Sequence, residues 1–116
     1  MCLLPGGGYA EFIKVDKRHV VDLPQDMPWS TAGAIMEVWL TAYQLLHYVS
    51  KVKAGEIVLI HAAASGVGTS LIQLCKLTGA KSIAVSSSKE KLDFCSNLGA
   101  DFTINYKEEP DFSKKV

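Results

Sequence analysis

The sequence predicts an α/β fold: one half of a doubly wound parallel sheet. Three observations predict it. After a helical stretch, short apolar runs of strand length alternate with amphipathic stretches of helical spacing, in the order β-α-β-α-β. Turn and cap residues punctuate each change, at Ala54-Gly55, Ser65 to Gly68, Gly79, Ser88 and Gly99. The first strand run, Glu56 to Ile60, lacks polar alternation, the pattern of a strand covered on both faces. Such an order implies parallel strands joined by right-handed crossovers.

The elements follow in sequence. Gly6, Gly7 and Gly8 make a flexible opening turn. Aromatic and β-branched content predicts strands over Tyr9 to Val15 and His19 to Leu23, the second closed by Pro24. Pro28 restarts the chain, and a hydroxyl of Ser30 or Thr31 is expected to cap a helix that reaches Val49 with a break near Glu37. Glu56 to Ile60 is the first strand of the parallel sheet. Thr69 to Leu77 is its helix, starting near Val67, with Gly79 as C-cap. Ser82 to Val85 is the next strand, and Ser88 caps a helix over Lys89 to Leu98 that Gly99 ends. Phe102 to Tyr106 is the third strand, and a charged tail with Pro110 follows it. The last strand leaves an apolar edge bare, so the chain is expected to be a piece of a longer protein. Alone it should be marginally stable and associate through the edge after Tyr106.

Composition narrows the function. The 116 residues suit one modest domain, and 48% hydrophobic with 21% charged residues excludes wholesale disorder. Twelve basic residues balance twelve acidic ones. No net field draws nucleic acid or an anionic membrane, so neither is expected as a partner. No apolar run approaches the roughly 18 residues of a membrane span. Cys2, Cys75 and Cys95 are odd in number and lack the spacing of a zinc or redox motif, which points to a reducing, cytoplasmic location. His19, His47 and His61 do not cluster, so no metal is expected. No nucleophile stands beside a base, and the sequence identifies no catalytic residue.

The chemistry concentrates in EIVLIHAAASGVGTSLIQL. Gly66 would let backbone approach a pyrophosphate, and Gly68 would let the helix pack closely on its strand. A helix beginning near Val67 offers unpaired N–H groups and a partial positive charge to phosphates. Ser65 stands where the common fingerprint often has glycine. The strand before it and the helix after it are the context a dinucleotide site requires; the alternative is a close-packed turn without a ligand. About 20 residues beyond Gly66, where an acid would bind the ribose of NAD, the chain has Ser86-Ser87-Ser88 followed by Lys89 and Lys91. Hydroxyls and lysines suit the 2′-phosphate of NADPH; the alternative is a serine cap with solvated charges. Tyr106 ends the third strand near the expected adenine mouth, either as a ligand contact or as a packing residue.

Five stretches together resemble the zinc-free quinone oxidoreductases of the medium-chain dehydrogenase/reductase superfamily, the zeta-crystallin-like group. They are LLPGGGYAEF, AGAIMEVWLTAYQLL, VKAGEIVLIHAAASGVGTSLIQL, the serine-lysine stretch and LGADFTINYKEE. The resemblance implies that residues 1–29 close a β-rich, GroES-like substrate domain and that residues 30–116 are the first half of a Rossmann-type NADPH domain. It implies that Ser65, Gly66, Val67 and Gly68 form the pyrophosphate turn, that Ser87, Ser88, Lys91 and Tyr106 hold the 2′-phosphate, and that Thr41 lies beside the nicotinamide. Glu37 stands where zinc-dependent relatives have a cysteine ligand. The expected activity is NADPH-driven reduction of a quinone or enone, by hydride or electron transfer, in a homodimer. Enoyl reduction and non-catalytic NADPH binding are the alternatives.

Overall fold

The computed structural model describes residues 1–116, the Lys115 side chain excepted. Its first regular helix, α1 (Trp29–Tyr43), begins at Pro28, whose carbonyl accepts from the Ala32 N–H at 3.0 Å. No side chain caps it. The expected Ser30 or Thr31 cap is therefore corrected. Pro28, with φ of −60°, already sets the entry, so both hydroxyl residues fall inside the first turn. Nor does the helix break near Glu37. It continues to Tyr43 and then widens into a π-helical stretch, Gln44–Val49, where the Ser50 N–H donates to the Leu45 carbonyl at 3.0 Å. The wide turn brings Tyr43 against Tyr48, ring centroids 5.9 Å apart, while Leu46 is buried in the core.

Three strands form one parallel sheet, β1 (Ile57–Ile60), β2 (Lys81–Ser86) and β3 (Phe102–Asn105), in that spatial order. The connecting helices are α2 (Gly66–Thr78) and α3 (Lys89–Leu98). Both crossovers step the same way across the sheet, so right-handed connections put α2 and α3 in one layer, where they touch. The caps follow the sequence. Gly79 (φ 78°) and Gly99 (φ 111°) end their helices in the left-handed region, and Ser65 and Ser88 begin them with side-chain acceptors.

Side chains alternate across the strands. Val58, Ile60 and Ala84 face the helix layer, where they pack with Ile72, Cys75 and Cys95 and with Ala42 and Leu46 from the preceding segment. Leu59, Ile83, Val85 and Ile104 face the other way, packed against Phe112 of a short 3-10 turn, Phe112–Lys115. That second face is partly open. A shallow apolar groove of about 470 Å³ runs along it between Ile57 and Phe102.

The strands expected over Tyr9–Val15 and His19–Leu23 are not formed. Lys17–His19 is a 3-10 turn capped by Asp16, and Tyr9 and Phe12 lie exposed. A strand exists only through its partner. Among the described residues of this segment, the one pairing between distant backbones is reciprocal. The Val21 N–H donates to the Met1 carbonyl at 2.8 Å, and the Met1 amino group donates to the Val21 carbonyl at 2.6 Å.

At Gly68 the fold tolerates nothing larger. A Cβ there would lie 2.6 Å from the carbonyl oxygens of both Ala62 and Ala63, and neither backbone atom can swing aside. Gly68→Ala should cost about 1–3 kcal/mol, the usual range for overpacking a tight site. Urea denaturation measures it, and an unchanged midpoint would show that the seat gives way.

Candidate dinucleotide-binding groove

In a parallel α/β sheet the helix N-termini gather at the carboxyl edge of the strands, and the site begins there. Ile60 is the last buried residue of β1. The chain then turns through His61 to Ala64, with Ala62 at a positive φ of 48°. The Ala63 N–H prolongs the sheet by donating to the Val85 carbonyl at 3.1 Å, and the Ser65 N–H closes the turn on the Ala62 carbonyl at 2.8 Å.

Ser65 spends its acceptors on the new helix. Its hydroxyl oxygen takes the Gly68 N–H at 3.2 Å and its carbonyl takes the Thr69 N–H at 2.8 Å. The N–H groups of Gly66 and Val67 have no hydrogen-bond partner among the described residues. Two unpaired donors on the exposed end of a 13-residue helix make a seat for an anion.

β2 supplies the next wall. Ser86, its last residue, is buried. The parallel register pairs Ser86 with Asn105, and the Tyr106 N–H donates to the Ser86 carbonyl at 3.1 Å. Tyr106 is thereby held beside the serine tract. Ser88 caps α3, accepting from the Lys91 N–H at 3.5 Å, and so fixes the turn from which Lys91 projects.

The result is one open groove of about 290 Å³, lined by Ala62, Ala64, Ser65, Ser86, Ser87, Lys91 and Tyr106. Five of the residues singled out in the sequence, Ser65, Ser86, Ser87, Lys91 and Tyr106, meet in it. Ser88 supports it as a helix cap and is not part of the lining. Gly66, Val67 and Gly68 follow Ser65 into the helix, while Thr41 is half-buried on α1, outside the lining. Ala62 and Ala64 complete the walls without having been expected there; only the turn geometry reveals them.

No carboxylate lines the groove, and Lys91 forms no ion pair among the described residues, whereas Lys89 is bound to Asp93 at 2.6 Å. A second, wider groove of about 760 Å³ continues along α3 from Ala64 and Lys91 to Phe94 and Asn97. Burial raises the thiols of Cys75 and Cys95, which suits inert core residues rather than nucleophiles. No group of three His, Cys, Asp or Glu residues that could hold a metal occurs among the described residues. No helix of the described residues is long and apolar enough to cross a membrane.

Comparison with known proteins extends this picture. A family model described as zinc-binding dehydrogenase matches residues 66–116. The 2-haloacrylate reductase of a Burkholderia species is 35% identical over 117 residues, covering 99% of this chain and 35% of that protein. The quinone oxidoreductase of Thermus thermophilus, whose structure was solved alone and with NADPH, superposes with a TM-score of 0.88 and 35% identity, over 98% of this chain and 38% of that one. An NAD-dependent alcohol dehydrogenase superposes with a TM-score of 0.89 and 39% identity, over 95% of this chain and 32% of that one. The chain spans between 4% and 35% of the length of the first curated relatives it matches. Fold and sequence agree along nearly all of its residues, and on both counts the chain belongs to the medium-chain dehydrogenases and reductases, on their quinone-oxidoreductase-like side.

Proposed function

We propose that the protein carrying this chain is a cytoplasmic, homodimeric, zinc-independent NADPH:quinone oxidoreductase, and that this chain grips the cofactor. The observation that carries the reading is the groove itself. Two unpaired N–H groups stand at its turn, and Ser87, Lys91 and Tyr106 form a rim with no carboxylate. A carboxylate at that rim would repel a 2′-phosphate and favour NADH. The solved relatives include one complexed with NADPH and one that is NAD-dependent, so support for the choice comes from the rim and not from the fold.

In this reading the N–H groups of Gly66 and Val67 take the pyrophosphate on the N-terminus of α2. Ser87, the Lys91 ammonium and the Tyr106 phenol hold the 2′-phosphate, with Ser88 keeping Lys91 in place through its cap. Thr41 on α1 lies toward the nicotinamide. Bound NADPH supplies the hydride, and the protein supplies orientation and a dry cleft. Glu37, the position the resemblance matches to the cysteine ligand of zinc-dependent relatives, is exposed on α1.

A second reading, reduction of an activated alkene, draws support from the likeness to 2-haloacrylate reductase. Following NADPH oxidation at 340 nm with a panel of quinones and enones distinguishes the two. The expected result is turnover of quinones well above that of enones. The reverse order would assign the second reading, and no oxidation with either class would refute both.

Cofactor preference gives the sharper test. A hydrogen bond to a charged group is worth about 1.5–3 kcal/mol. At about 1.4 kcal/mol per decade, Lys91→Ala should weaken NADPH roughly ten- to a hundredfold and leave NADH nearly unchanged. Comparing kcat/KM for the two cofactors at fixed ionic strength measures it. An equal loss for both would make Lys91 a structural residue only.

A further inference from the structure

Gly66 has an ordinary backbone, outside the left-handed region, so conformational freedom does not explain the glycine. Space does. A Cβ on residue 66 would lie 2.8 Å from Cγ1 and 3.6 Å from Cβ of Val38, a half-buried residue of α1. The room for a side chain at the head of α2 is already filled by a side chain from the helix before the sheet. Two neighbours give the contact a consequence. The Gly66 N–H is one of the two unpaired donors of the groove. Thr41 follows Val38 by three positions and so shares its face of α1.

We infer that Val38 is a positioning residue for the cofactor turn. Its isopropyl group seats α1 against the N-terminus of α2, and the seat sets the distance between the unpaired N–H pair and the face of α1 that carries Thr41. Glycine at 66 answers first to α1; open access for a phosphate follows from the same missing side chain. The functional half of this inference rests on the NADPH reading above, and the structural half rests on packing alone.

A double-mutant cycle tests both halves in the protein carrying this chain: unaltered, Gly66→Ala, Val38→Ala, and the two combined. Each form is melted without cofactor and titrated with NADPH by fluorescence. Gly66→Ala should lower Tm and weaken NADPH about tenfold, or about 1.4 kcal/mol. Adding Val38→Ala opens space for the new methyl. It should raise Tm again and bring Kd back to within about threefold of the unaltered protein, a difference of about 0.7 kcal/mol. If Tm recovers but Kd does not, the methyl obstructs the ligand directly and Val38 does not position the turn. If Gly66→Ala alone changes nothing, or the pair recovers neither quantity, there is no seat. Failure of the unaltered protein to bind NADPH would refute the proposed function, and the melting arm alone would then decide the seat.

Discussion

The carbonyls of Ala62 and Ala63 leave no room for a side chain at position 68, and the upper half of the molecule is arranged around that contact. Because α2 comes down directly on the turn, its first N–H groups emerge at the end of β1 rather than over the helix layer. Ser65 can then cap the helix with its own side chain and carbonyl. Ala62 holds a left-handed conformation that non-glycine residues seldom adopt, a small cost carried by the surrounding hydrogen bonds. Ala63 uses the same turn to reach the Val85 carbonyl, which ties the loop to the next strand. One close approach thus fixes the helix, the loop and the exposed donors together.

From that corner the groove is assembled by register. β1, β2 and β3 are parallel and pair residue by residue, so their carboxyl ends rise together. The pairing of Ser86 with Asn105 carries Tyr106 to the serine tract, and the Ser88 cap orients the first turn of α3. None of the rim residues needs to touch another. Each is held by its own backbone, and the sheet brings the backbones together.

What could be read from the sequence divides along the same line between local and distant causes. The helix Lys89–Leu98, its Ser88 cap and its Gly99 stop were legible because all three signals lie within a dozen residues and act on neighbouring backbone. The Ser65 turn and Gly68 were legible for the same reason, and the anticipated strands of the parallel sheet agree with the observed ones to within a residue or so. The segments Tyr9–Val15 and His19–Leu23 have the composition of strands, yet pairing depends on a partner that composition does not supply. The widening at Gln44–Val49 was hidden because apolar spacing cannot separate an α-helix from a brief π-helical turn. Lys91, Ser86 and Ser87 could be named from sequence, but Ala62 and Ala64 as walls could not, since only the geometry of the turn after the first strand puts them there. The neighbour of Gly66 was out of reach altogether, because Val38 lies on a helix that precedes the sheet.

The groove has a buried floor and an exposed rim. Ser86 is sealed beneath it, whereas Lys91 and Tyr106 stand in solvent and Ser87 is only half covered. Exchanges at the rim disturb little packing, and surface substitutions of that kind usually shift stability by no more than about 0.5 kcal/mol. On the function proposed above, ligand preference and foldedness are therefore separable traits. On that reading, single changes at the rim shift the dinucleotide preferred while the close-packed glycines at the head of α2 keep the turn in place.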